Sequence, residues 1–241
     1  MTSLITPKLG TSTKAWQYYS LHLMSSYILK EYFLAFNYQE CIAAAETRKT
    51  EVGPWAIEMR EQGYHELFTH SFVGMWAAFE AGIEDTATAF IQNSYVAAAN
   101  IAPKFKKDRY PIEKWPWPVE TCAEIAQKLD VKAKEATLNG GVDLCARLVT
   151  LFSWLDIDIA TEPSPSIGLT EASLMRNIIV HKYGKIDEGD VTVVPRIAAW
   201  QGKVMPVDRD TFSAYYKAVT DFAIALMGAI SRSSHVPKVT T

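Results

Sequence analysis

Between about residues 64 and 99 the chain sets Phe68, Phe72, Met75, Phe79, Ile83 and Thr86 at steps of three or four and then reaches Phe90. That spacing returns a core-facing side chain to one face of an α-helix at every turn. Glu80, Glu84 and Asp85 are left for the other faces. A helix this long and this apolar on one side needs a broad apolar partner, which points to helices packed on helices. The rest of the chain can supply one: 49% of its 241 residues are apolar and 21% are charged. A chain of that balance buries enough surface to offset the entropy of ordering, which excludes a disordered or fibrous protein.

Trp16, Tyr19, Leu23, Tyr27, Leu29 and Phe33 predict a helix over 14–36 behind a Thr/Ser cluster. The Ala- and Glu-rich stretch 37–52 reads as a second helix, interrupted by Gly53-Pro54. Pro103 ends the long helix, and the proline-rich segment 103–118 is expected to be a loop. Helices follow over 119–137 and 142–156, separated by Asn139-Gly140-Gly141. The segment 161–168 is expected to be a second loop, with Thr170 capping a helix that runs to Gly184. The β-branched runs within 191–207 suggest a small two-stranded ribbon, and Asp208 or Asp210 opens a last helix bearing Phe212, Tyr215, Val219, Phe222, Leu226 and Ile230. Together these predict a single all-α domain over 1–241, an antiparallel helical bundle with a minor ribbon.

A formal charge of -3, from 24 Lys+Arg against 27 Asp+Glu, excludes the bulk electrostatics of a duplex-DNA binder but leaves room for a local basic surface. No apolar run approaches the roughly 18 residues needed to cross a bilayer, and the first residues lack the order of a secretory signal. Cys41, Cys122 and Cys145 share no CxxC spacing. They read as buried apolar residues of a cytoplasmic protein.

The segment 174–184, LMRNIIVHKYG, carries the most chemistry. Arg176 and His181 are five apart, with Asn177 directly after the arginine. Asn177 and His181 share a helix face, and Arg176 lies about 100° around from Asn177, so three polar groups can converge near one helix end. The bare spacing is common: Arg60 and His65 repeat it, but there Glu61 follows the arginine and Gly63 breaks the helix. A plainer reading is a helix-terminal histidine favoured by the helix dipole beside an arginine lying along the surface.

In its setting on the penultimate helix, the Arg-Asn-x3-His motif followed by Lys182-Tyr183-Gly184 resembles the signature of the HEPN superfamily, all-α ribonucleases of toxin–antitoxin, phage-defence and RNA-processing systems. The resemblance covers about residues 64–232; residues 14–52 form a helical extension outside it. It implies an HEPN-like bundle and metal-independent endoribonuclease activity with no cofactor. Arg176 and His181 would be the catalytic pair with Asn177 in support, in a composite site across a homodimer. It also implies a role for Glu80 on the long helix, and an antitoxin or nucleotidyltransferase partner that modifies Tyr183. An imidazole exchanges protons at neutral pH and a guanidinium suits phosphate oxygens, so these residue types fit a reaction in which RNA supplies its own 2′-OH nucleophile. A catalytically silent module of the same type, binding a partner protein or nucleotide, is the alternative.

Lys182 and Lys185 beside the motif, and Lys106 and Lys107 in the 103–118 loop, are candidate RNA-binding cations. In that loop Lys104, Arg109, Lys114, Tyr110, Trp115 and Trp117 combine charge with stacking surfaces, although aromatics beside prolines also pack on themselves. A metal reading has little support in the spacing: His65 and His70 stand five apart, about 140° around a helix, so they cannot chelate from one regular face, and although His22 could in principle complete a three-His bundle site, nothing in the spacing asks for it.

Overall fold

The computed structural model describes residues 16–106, 109–137, 143–159 and 163–235. Its helices in chain order are α1 (Trp16–Ala45), α2 (Val52–Glu61), α3 (His65–Asn93), α4 (Tyr95–Ile101), α5 (Val119–Ala136), α6 (Leu144–Trp154), α7 (Pro163–Lys182), α8 (Glu188–Val193) and α9 (Arg209–Arg232). The fold is all-α. None of these helices is long and apolar enough to cross a membrane.

The stripe on α3 behaves as its spacing predicts. Phe68, Phe72, Met75, Phe79, Ile83, Thr86 and Phe90 are all buried, joined by Trp76. α1 lies along one side of α3 and α5 along another, while α7 and α9 close the bundle. One hydrophobic cluster runs continuously from Leu21 on α1 to Ile230 on α9, so the N-terminal helix is part of the core. The approach of α1 to α3 depends on a small residue: a Cβ at Gly82 would collide with the Met24 side chain.

Several elements differ from the sequence expectation, each for a local reason. Residues 37–45 continue α1 without a break. Gly53-Pro54 begins α2 rather than ending a helix, because a proline in a first turn lacks only an N–H that would have had no partner there. The long helix stops at Asn93, where Ser94 turns extended (φ -118°, ψ 114°) and its Oγ accepts from the Ala97 N–H, restarting the chain as α4. α7 starts at Pro163, so 163–168 is helical and Thr170 sits inside the helix. Its hydroxyl accepts from the Leu144 N–H and donates to Asp143, supporting the start of α6. The expected ribbon is absent from the described residues. Val191–Val193 fall in α8, which Asp187 and Asp190 fix with a reciprocal capping box, and only two isolated bridges, Lys185 to Val204 and Ile186 to Gln201, remain. Asp208 caps α9. Asn139-Gly140-Gly141 and the Thr/Ser cluster before α1 lie outside the described residues. Cys41 is exposed, contrary to expectation, whereas Cys122 and Cys145 are buried.

α7 is anchored from beneath by Glu171, which has no exposed surface. Arg196, from the 3-10 turn after α8, gives it two N–H bonds, and the Tyr215 hydroxyl of α9 donates at 2.9 Å. Burial, with the neighbouring carboxylate, holds the Tyr215 hydroxyl protonated.

Three outcomes follow from this packing. Gly82→Ala, which raises intrinsic helix propensity, should nevertheless lower stability by about 1–3 kcal/mol in urea titration through overpacking. Glu171→Ala should cost about 1–3 kcal/mol by the same measurement, because it leaves the buried Tyr215 hydroxyl without its acceptor while Arg196, largely exposed, turns to water; an unchanged stability would remove Glu171 as the anchor. In the native protein, thiol titration near pH 8 should label Cys41 alone, since burial pushes the Cys122 thiol up to about 11.

Candidate active site

The C-terminus of α7 is closed by two left-handed residues, Tyr183 (φ 52°) and Gly184 (φ 80°). They turn the chain so that the Gly184 N–H reaches back to the Ile178 carbonyl at 3.1 Å, giving a partner to one of the carbonyls that a helix end leaves open. A Cβ on Gly184 would also press on Val204, at 3.0 Å. Tyr183, at the tip, is 90% exposed. His181 and Lys182 occupy the last turn, where positive charge meets the negative end of the helix dipole.

One turn and a half earlier, Arg176 is held from two sides. One guanidinium nitrogen donates to Asn177 Oδ1 at 3.0 Å and another to Glu80 Oε2 of α3 at 2.9 Å. This joins the arginine of the motif to the acidic position on the long helix. His181 is exposed, and its side chain makes no hydrogen bond to any described residue. It lies about 140° around α7 and about 7.5 Å along it from Arg176. Within one chain, therefore, Arg176, Asn177 and Glu80 are brought together and His181 stands apart.

Lys182 is not a free cation. It donates to Asp187 Oδ2 at 2.6 Å and to Asp190 Oδ1 at 2.8 Å, tying the end of α7 to the capping box of α8. The hydrogen bond to Asp187 holds the ammonium above its ordinary range, and the same bond holds the Asp187 carboxyl below the usual carboxylate range. Lys185 is exposed, with its backbone in the bridge to Val204.

The proline-rich segment uses its aromatics for packing. Tyr110 and Trp117 are buried. Trp115 Nε1 donates to the Ile91 carbonyl at 2.9 Å and Trp117 Nε1 to the Pro111 carbonyl at 3.2 Å. Lys104 lies 3.9 Å over the Trp154 ring and Arg109 bonds Glu124. Lys106 and Lys114 are exposed; Lys107 lies outside the described residues. None of these side chains bonds to Arg176, Asn177 or His181 among the described residues.

Beside Arg176 is a cleft of about 540 Å³ between α3, α5, α6 and α7, with Glu80 and Asn177 in its wall. Trp76, Phe79, Ile83 and Leu148 form an apolar floor, and Glu84, Gln127, Asp130 and Arg147 stand around it. Arg147 pairs with Asp130, and Gln127 Nε2 donates to Glu84 Oε1 at 2.7 Å. The sequence gives no sign of this cleft, because its residues come from four helices and no short motif joins them. Elsewhere, His65 Nδ1 accepts from the Val207 N–H at 3.1 Å, which makes that ring a bridge to the segment before α9. Among the described residues no group of three or more His, Cys, Asp or Glu is placed to hold a metal ion.

Comparison with protein-family models, with curated proteins and with solved structures finds no match.

The Lys182 clamp sets a pH window. The Asp187 contribution is complete above about pH 4 and fades as pH falls through its depressed value; the Lys182 contribution is complete below about pH 10 and fades as pH rises through its raised value. Lys182→Met should therefore lower the melting temperature by an amount that is flat from about pH 5 to 9 and shrinks at pH 3. A difference undiminished at pH 3 would exclude Asp187 as the partner.

Proposed function

We propose that the protein is a metal-independent endoribonuclease with an HEPN-like bundle, acting as a toxin or phage-defence effector in the cytoplasm. The observation that carries this reading is Arg176, held by Asn177 and Glu80 at the rim of an open cleft, with an unengaged His181 about one turn beyond Asn177 on the same helix. His181 takes the proton from the 2′-OH as O2′ bonds to phosphorus. The P–O5′ bond breaks, and an imidazolium returns a proton to O5′, leaving a 2′,3′-cyclic phosphate and a 5′-hydroxyl. Arg176 neutralises the non-bridging oxygens as charge builds on the phosphorane. The free N–H groups of Asn177 can donate to the same phosphate.

The 140° between Arg176 and His181 favours a site completed by a second copy, in which each phosphate meets the arginine of one protomer and the histidine of its partner. Lys185, Lys106 and Lys107 are the RNA-facing cations in this reading, and the exposed Tyr183 is the residue a regulatory nucleotidyltransferase, or an antitoxin, would reach. The alternative is a silent helical module that binds a partner protein or nucleotide; it draws on the pairing of Arg176 with Glu80, which satisfies the guanidinium without substrate.

Purified protein should cut labelled RNA in the presence of a chelator, and Arg176→Ala and His181→Ala should each slow cleavage by about 10²-fold or more. Mixing the two inactive variants should restore part of the activity if the site is shared across a dimer. Cleavage that survives both substitutions, or that stops when metal is removed, would overturn the mechanism, and the absence of any cleavage or growth arrest on expression would favour the silent module.

A further inference from the structure

We infer that the cleft between α3, α5, α6 and α7 is a base-binding subsite that selects guanine, and that it receives the nucleotide whose phosphate lies at Arg176. This rests on the ribonuclease reading for the identity of the polymer; the recognition chemistry comes from the cleft.

The cleft's volume of about 540 Å³ falls in the range of small-molecule sites. An apolar floor of Trp76, Phe79, Ile83 and Leu148 suits the face of a planar ring. Its walls exclude an anion: Glu80, Glu84 and Asp130 outnumber Arg147, so phosphate belongs outside, at the rim, where Arg176 stands. Asn177 lines the cleft and accepts from Arg176 at 3.0 Å, which puts the phosphate-binding group and the base cavity on either side of one side chain.

The three carboxylates are not equivalent. Glu80 is paired with Arg176 and Asp130 with Arg147. Glu84 has only the neutral amide of Gln127, at 2.7 Å on one oxygen. A carboxylate has about four acceptor positions, so Glu84 retains room for two more donors side by side. Guanine offers that pair, N1–H and N2–H, along one edge. Adenine and cytosine each present one donor next to an acceptor, and uracil flanks its single donor with two carbonyl oxygens that the carboxylate would repel. A neutral ring with two adjacent donors is therefore the ligand these walls fit, with Gln127 fixing the carboxylate plane.

The test separates the subsite from the nuclease reading by measuring binding and cleavage independently. Guanosine, adenosine, cytidine and uridine, none of them cleavable, are titrated against the whole protein and followed by calorimetry or by NMR of labelled protein. Guanosine should bind at least 10-fold more tightly than the others, and Glu84→Gln should remove most of that preference. Val131→Trp adds bulk at the mouth, where Val131 is 56% exposed and a larger side chain does not disturb the core; it should abolish binding while the melting temperature holds. In parallel, chimeric oligonucleotides with one cleavable position are cut by wild type and Glu84→Gln. Wild type should prefer guanine next to the cut by at least 10-fold, and Glu84→Gln should level the four. Cleavage that needs Arg176 and His181 but ignores base identity, with no nucleoside bound, overturns the subsite and leaves the nuclease. Guanosine binding that responds to Glu84→Gln without any RNA cleavage overturns the nuclease and leaves a nucleoside site. Equal binding of all four nucleosides, unaffected by Glu84→Gln, overturns the assignment of Glu84.

Discussion

A carboxylate with no access to water must be met by hydrogen-bond donors, and Glu171 finds them in Arg196 on one side and Tyr215 on the other. Each donor belongs to a different element, so the carboxylate can be satisfied only when α7, α9 and the 195–200 turn are in one register. A shift of α7 by one residue would carry Glu171 about 100° away from both. An ion pair with one partner largely in water adds little net stability, so what it contributes here is position. Arg176 lies five residues beyond Glu171 on the same rigid helix, and its reach to Glu80 depends on that register.

The second constraint is the contact of α1 with α3. Gly82 admits Met24, and Gly74 lies against Glu31, where a Cβ would stand 3.1 Å from the carboxylate. α3 is thereby covered on its α1 side by backbone-close packing and turns its Trp76–Ala87 stretch toward the cleft on the other. By packing on α3, the N-terminal helix helps to fix the rotation of α3 that sends Phe79 into the core and Glu80 toward Arg176. The α7–α9 pair and the α1–α3 pair thus position the two ends of a single ion pair.

Much of this was legible in the sequence where one periodicity acted alone. The α3 stripe and that of α9 could be read residue by residue, because each face meets the same core along its length. Legibility failed where a cap or a tertiary partner outweighed local preference. Val191–Val193 favour a strand by composition, but the Asp187–Asp190 box nucleates a helix through them. Ser94 interrupts a helix that the apolar spacing would have continued. The Arg176–His181 spacing on α7 could be read from the sequence, while Glu80 becomes a candidate only through the family resemblance that the motif carries. That Lys182 is occupied by Asp187 and Asp190, and that the loop aromatics face inward, could not, since both depend on contacts between segments whose proximity no pattern announces. The cleft is the extreme case: Glu84 and Gln127 are 43 residues apart, and only the docking of α5 on α3 makes them neighbours.

These pairings change how the net charge of -3 bears on RNA. The basic residues around the end of α7 suggested a local positive patch, but Arg176 is matched by Glu80 and Lys182 by two aspartates. Among the described residues one chain therefore offers His181 and Lys185 as unmatched groups there, too few to hold a phosphodiester against physiological salt. In the proposed nuclease a phosphate arriving at Arg176 would compete with Glu80, and the partly exposed geometry of that pair would make the exchange inexpensive, since surface ion pairs contribute about 0–1 kcal/mol. On that proposal, affinity for RNA would have to come from somewhere other than the backbone charge. A second copy that doubles the cations and a cavity that captures a base are the two sources consistent with the geometry. They act at different points: the dimer would set the strength of binding, and the cleft would set where along the RNA the phosphate comes to rest.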